Sequence, residues 1–270
     1  MIIFMRKMKY FFLLMIAAAL VIGGCGGNTK RQVNIQPEDY PGWVQVKAGD
    51  DATFAVPPQL APETDEFRNN LMRSQDTDLF VKTILSRDEM IAKANGSAML
   101  VSTDFTKTPW EPGTHYARVT FQTLTSPMKM PRYGQNLGMD EKAIKEFDKA
   151  TQEGVQFAVS RSLPEGYKIE CRNWTPMKTQ IVNGIEHLYV TYDEVITRDG
   201  QPVMILNVRR WTFLNSDRLH VLIAYTNAAD KTYWEDPHRN ISNLVKTLVI
   251  TPSCVEEEDS GILGKIKSLF

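Results

Sequence analysis

Hydrophobic and polar positions follow two rhythms along the chain. Ala52 to Val56 alternates as a strand that Pro57-Pro58 stops. Between Pro62 and Asn95 the spacing turns helical through Phe67, Leu71, Leu79, Ile84, Met90 and Ile91, and Asn95-Gly96 supplies a stop. Leu79 to Leu85 fits a strand as well. Ser97 to Phe105 and Tyr116 to Leu124 read as strands on either side of the loop Trp110-Glu111-Pro112-Gly113. Met139 to Thr151 predicts an amphipathic helix, with Ala143, Phe147 and Ala150 on one face and Gly154 to end it.

Beyond that glycine the pattern is strongly β. Val155 to Arg161, Tyr167 to Asn173 and Thr179 to Val182 read as short strands, and Glu186 to Thr197 and Val203 to Phe213 as long ones. Arg198-Asp199-Gly200-Gln201 joins the long pair, and Asp-Gly between two β-rich runs is a strong local hairpin signal. Asn215-Ser216-Asp217 then turns the chain into Arg218 to Tyr225, completing a three-stranded meander. Asp236 as cap and Pro237 as first helical residue start a last helix with Ile241, Leu244 and Val245 on its apolar face. Thr247 to Thr251 either closes the sheet or continues that helix. These elements predict one α+β domain over 51–251, an antiparallel sheet flanked by helices. Residues 26–50 read as a tether and extended lead-in, with Pro37, Pro41 and Gly42 excluding helix, and 252–270 as a tail.

Residues 1–25 read as an address. Arg6, Lys7 and Lys9 precede an apolar run from Tyr10 to Ile22, too short to cross a hydrocarbon core as a permanent helix. Ile22-Gly23-Gly24-Cys25 then resembles the bacterial lipobox. That resemblance implies cleavage between Gly24 and Cys25, a lipidated Cys25, and a membrane as the first partner. The expected location is the cell membrane or outer membrane, with the globular part facing the periplasm or exterior. An ordinary secretory signal with an incidental cysteine is the other reading.

Charge changes the picture only by exclusion. Lys+Arg 31 against Asp+Glu 32 leaves no basic excess to suggest nucleic acid, and cleavage after Gly24 would make the mature chain net acidic. Hydrophobic residues at 43% and charged ones at 23% fit a folded globular chain rather than a disordered one. Cys171 and Cys254 remain after lipidation of Cys25, either bridged across a long loop or both free.

From Asn183 to Ile250 the order of elements resembles the Mog1/PsbP-like superfamily, which includes DcrB-like bacterial lipoproteins. The resemblance rests on the Gly184-Ile185 turn, the Tyr189-Val190-Thr191-Tyr192 strand and Trp211-Thr212-Phe213. Arg218-Leu219-His220-Val221-Leu222, Tyr225 and Trp234 before Ile241 to Val249 complete it. It implies an α/β/α sandwich whose last helix packs on the meander, and a non-enzymatic role in protein docking at the envelope.

Chemistry is sparse. His115, His187, His220 and His238 lack paired ligand spacing, although His187 and His220 on neighbouring strands, with Glu186 or Asp193, would form a weak metal site. No G-x-S-x-G, G-x-G-x-x-G or P-loop pattern occurs in the sequence, and Asp193-Glu194 in a strand point to opposite faces. No cofactor is expected, nor a catalytic role. Trp174, Trp211 and Tyr225 are read either as core or as an aromatic-lined groove, with Arg210 and Arg218 giving such a groove an anionic preference. A protein partner in the envelope is the leading expectation and a small-molecule ligand the alternative. In the tail, Glu256-Glu257-Glu258-Asp259 precedes Ile262, Leu263, Ile266, Leu269 and Phe270 on one helical face, suited to its own domain, a membrane or a partner.

Overall fold

Alternating residues build a sheet with two apolar faces, and each face acquires its own cover. A computed structural model describes residues 40–86, 98–102, 109–110, 113–126, 130–161 and 163–252. The signal segment, Cys25, Cys254 and the 253–270 tail therefore lie outside the described residues. The strands are β1 (Val44–Ala48), β2 (Ala52–Val56), β3 (Leu60–Pro62), β4 (Ala98–Ser102), β5 (Ala117–Thr125) and β6 (Tyr167–Arg172). They continue with β7 (Lys178–Val182), β8 (Ile185–Arg198), β9 (Gln201–Asn215), β10 (Arg218–Asn227) and β11 (Val249–Ile250). The main sheet is antiparallel in the order β3-β4-β5-β10-β9-β8-β6, with β7 also paired to β8; a second sheet runs β1-β2-β11.

Helices α1 (Asp65–Arg73), α2 (79–86) and α3 (Glu141–Val159) belong to the core on one face of the main sheet. There Leu71, Phe80, Leu85 and Val159 join Leu188, Val190, Val208 and Val221. On the other face Phe54, Phe121, Trp211, Leu222, Trp234 and Leu244 form a second core under the small sheet and the short helices α4 (Lys231–Trp234) and α5 (Leu244–Thr247). The architecture is thus α+β with an antiparallel sheet between layers, as the pattern predicts, except that the second outer layer is largely β.

Three local expectations change, and the choice left open over Leu79 to Leu85 falls to the helix. The helix from Glu141 runs through Gly154 to Val159, so Val155 to Arg161 is not a strand. Phe147, Thr151, Val155 and Val159, spaced by four, all pack toward the core, and that burial outweighs a glycine penalty of about 1 kcal/mol. Leu79 to Leu85 is helical, with Phe80, Val81 and Leu85 buried while Leu79 is exposed. Strand β1 lies within the segment read as lead-in, paired from Val44↔Val56 to Ala48↔Ala52. The last helix is broken: Asp236 accepts from the His238 N–H in a turn, and Asn240 caps the single turn Ile241–Asn243 that leads into α5. Val249 and Ile250 then close the small sheet against β2.

A polar latch ties the small sheet to the end of the large one. Asp51, in the β1–β2 turn, pairs with Arg218 at 2.8 Å and lies 3.5 Å from His220 Nε2. The Thr251 N–H donates to the Asp51 carbonyl, and Asn215 donates to the Thr251 carbonyl. His220 is fully buried, its Nδ1 3.0 Å from Thr123 Oγ1.

Strand register also bears on the cysteine question. Cys171 faces Glu194, which faces Leu206, nine residues along β9 from Asn215 and therefore roughly 30 Å from the latch. The chain passes that latch at Thr251, and three residues reach at most about 11 Å. A disulfide needs Cα atoms within about 7 Å, so the register argues against a bridge from Cys171, which is unpaired among the described residues, to Cys254, which lies outside them. Alkylation of denatured, unreduced protein should therefore label both thiols; a Cys171–Cys254 peptide in a non-reducing digest would contradict the topology.

Burial lowers the pKa of both His187 and His220 to about 4, so the folded state holds them neutral. Asp51 and Asp217 oppose that shift at His220, and Arg218 reinforces it. The unfolded chain takes up these protons near pH 6.5, so stability is complete above that pH and falls as pH drops toward 4, by about 2–3 kcal/mol per histidine. Urea midpoints between pH 7.5 and 4.5 should show this slope, and His187→Leu should remove roughly half of the two histidines' share. An unchanged slope in that variant would contradict the assignment.

Candidate functional site

Within the apolar helix-side face of the main sheet lies a polar island. The register places Arg118, Tyr225, Val208 and Tyr192 in one row across β5, β10, β9 and β8. The next row is Thr120, Ile223, Arg210 and Val190. Arg210 thus stands diagonal to both tyrosines, a spacing of roughly 7–8 Å at Cα that long side chains bridge. Arg210 is half-buried, and its Nε is shielded from solvent with no hydrogen-bond acceptor. Burial lowers its pKa, and the groups opposing that shift are the hydroxyls of Tyr192 and Tyr225, not a carboxylate.

The surroundings are rigid. Trp174, in the β6–β7 connection, stacks on Tyr192 at 4.6 Å between ring centroids and donates through Nε1 to Asp148 of α3 at 2.8 Å. Arg118 donates from Nε and Nη2 to Glu63 Oε1, and both residues are buried. Arg68 of α1 donates to the Glu63 carbonyl. Four shielded atoms in this neighbourhood lack a partner: Arg210 Nε, Thr120 Oγ1, Glu63 Oε2 and Arg68 Nη1.

The structure brings together only part of the predicted groove. Trp174, Tyr225 and Arg210 share the helix-side face, whereas Trp211 is 2% exposed in the opposite core and Arg218 belongs to the latch. The cause is elementary: Arg210 and Trp211 are consecutive in one strand and must point to opposite faces. Tyr192 and Thr120 were missed. Parity counted from the Ser216 turn places Arg210 and Tyr225 on one face, but the register shift between Ile196 and Thr197 makes the same count from Asp199-Gly200 put Tyr192 on the other, and Thr120 lies on a strand that neither hairpin reaches.

The weak metal site does not assemble. His220 pairs with Phe213, and the His187 ring packs against the same Phe213 at 4.9 Å, so β9 separates the two histidines. Glu186 accepts from the Leu137 N–H and Asp193 accepts from Asn173 and Asn207. Among the described residues no group of three potential ligands gathers. His115 bonds Asp230 at 3.0 Å and stacks on Tyr233. Burial and the nearby Glu194 push the Cys171 thiol up to about 12, which keeps it protonated and unsuited to nucleophilic attack at neutral pH. No helix among the described residues is long and apolar enough to cross a membrane.

No family model matches this chain, and neither does any curated protein. Solved structures do. Cyanobacterial PsbP from Synechocystis is 9% identical, with 85% of this chain and 98% of that chain covered and a TM-score of 0.37. LpqN of Mycobacterium tuberculosis, described as involved in cell envelope biogenesis, is 13% identical over 78% of this chain and 91% of its own, at a TM-score of 0.35. A Pseudomonas aeruginosa protein of unknown function is 16% identical over 59% of this chain and 85% of its own, at a TM-score of 0.34.

Proposed function

We propose that this chain is a non-enzymatic lipoprotein of the cell envelope, held to a membrane by lipid on Cys25, whose domain binds another envelope protein. The Ile22-Gly23-Gly24-Cys25 lipobox supports the anchor, because lipid on a processed cysteine holds a soluble domain at a bilayer without a spanning helix. A Mog1/PsbP-like domain, as the order of elements over 183–250 suggests, fits a docking role.

One observation carries the docking reading. The small sheet leaves the β6, β8 and β9 end of the main sheet open, so Lys168, Glu170, Arg172 and Ile205 are exposed on a rigid ladder. Asp193 sits among them, its two carboxylate oxygens fixed by Asn173 and Asn207 at 2.6 and 2.7 Å. A preformed surface of alternating charge around one apolar residue offers a partner little ordering cost. The aromatic residues are not part of it, since Trp211 and Trp234 are buried. A small-ligand role is the second reading, favoured by the unpaired Arg210.

Cys25→Ala should abolish labelling by radioactive palmitate and stop processing after Gly24. Proximity crosslinking in the native cells should capture one dominant protein, lost in the double variant Arg172→Glu, Ile205→Glu with an unchanged melting temperature. Palmitate labelling that survives Cys25→Ala would sink the anchor, and capture no different from an unrelated lipoprotein would sink the docking role.

A further inference from the structure

An unpaired strand edge is a template for another strand, and folded proteins blunt most of theirs. The main sheet does so at two of its three edge strands, β3 and β6, but not at β7. β3 is only three residues long and ends at Pro62. On β6 the Gln156 side chain of α3 occupies the edge, accepting from the Cys171 N–H at 3.0 Å and donating to the Ile169 carbonyl at 3.5 Å. β7 pairs with β8 alone, and among the described residues nothing guards its other side. Its hairpin turns through Asn183 and Gly184, at φ 52° and 77°, a two-residue loop across which Val182 and Ile185 exchange hydrogen bonds. Alternation then directs the backbone groups of Val182, Gln180 and Lys178 toward β8 and those of Thr179 and Ile181 outward. No charge or proline interrupts Thr179 to Val182, and the Ile181 side chain is 61% exposed.

We propose that β7 is a self-association edge, pairing antiparallel with β7 of a second copy of this chain about a two-fold axis at Gln180 and joining the main sheets of two protomers into one. In that register Thr179 of each copy faces Ile181 of the other, and the two pairs exchange hydrogen bonds through every outward N–H and C=O of the strand. A two-fold centred on Thr179 or on Ile181 would instead pair Ile181 with Met177 or Thr179 with Asn183, both outside the strand. The side chains fit this occupant. Gln180 meets its own copy, and a carboxamide holds both donor and acceptor, so the two bond each other. Lys178, the one charge of the strand, faces Val182, so no like charges are opposed. Thr179 and Ile181, both β-branched, meet on the helix-side face and cover the exposed isoleucine. A second copy satisfies all three conditions by symmetry. This edge is separate from the open β6, β8 and β9 face, so it stands or falls independently of the docking reading.

The test is disulfide capture of the full chain in its own cells. Opposed residues of a non-hydrogen-bonded antiparallel pair have Cα atoms about 4.5 Å apart, within disulfide range, so Gln180→Cys should link to its own copy. After mild oxidation, a non-reducing digest should yield the 180–180 linked peptide at least tenfold above the 79–79 peptide of Leu79→Cys. Leu79 is 63% exposed on α2 and reports random collision. Coexpressed Thr179→Cys and Ile181→Cys chains give a second reading, in which the mixed 179–181 peptide should exceed the 181–181 peptide. A 180–180 yield no greater than the Leu79→Cys control, or capture of a different protein by position 180 in its place, overturns the self-association. An excess of the 181–181 peptide overturns the register about Gln180.

Discussion

The structure depends on one register, that of β8 against β9 across the Asp199-Gly200 turn. Both turn residues have positive φ, at 50° and 79°, the backbone that lets a two-residue loop join strands of right-handed twist. From this turn the pairing runs from Arg198↔Gln201 to Leu188↔Thr212, through a single irregularity at Ile196/Thr197. A slip of one residue would exchange every side chain between the faces. Trp211 and Phe213 would then leave the small-sheet core, and Arg210 would enter it. The two cores, the latch and the polar island are consequences of that register.

The two faces obey different rules. The small-sheet side is packed with aromatic and aliphatic residues, and its main polar connection, from Asp51 to Arg218 and through Thr251 to Asn215, lies at the end of the strands. The helix side accepts charge in its middle. A buried pair such as Arg118–Glu63 adds little over apolar residues of the same volume, while loss of either partner strands a charge. Placing Arg210 beside that pair without a carboxylate raises the cost further. Proteins sustain such costs where function requires a fixed, poorly solvated donor.

Much of the β half was legible because its signals are local. Asp199-Gly200, the alternation of β8 to β10 and the turn at Ser216 each specify structure within a few residues. What failed depended on contacts distant in sequence. Gly154 reads as a stop until Val155 and Val159 are seen to bury with Phe147. Val44, Val46 and Ala48 alternate, yet Pro37, Pro41 and Gly42 dominate that segment until β2 and β11 provide a partner. The groove failed for a different reason. Its aromatic and basic residues were grouped by proximity in sequence, when strand parity already separated Arg210 from Trp211.

Nuclear Overhauser contacts from the Arg210 side chain test the central claim most directly, because they report which face it occupies and what surrounds it. The register described here predicts contacts from Arg210 Hε and Hδ to the rings of Tyr192 and Tyr225, with the Trp211 indole contacting Leu222 instead. Contacts from Arg210 to Leu222 or Trp234 would show that the strand is turned over, and would contradict the register and the polar island that follows from it.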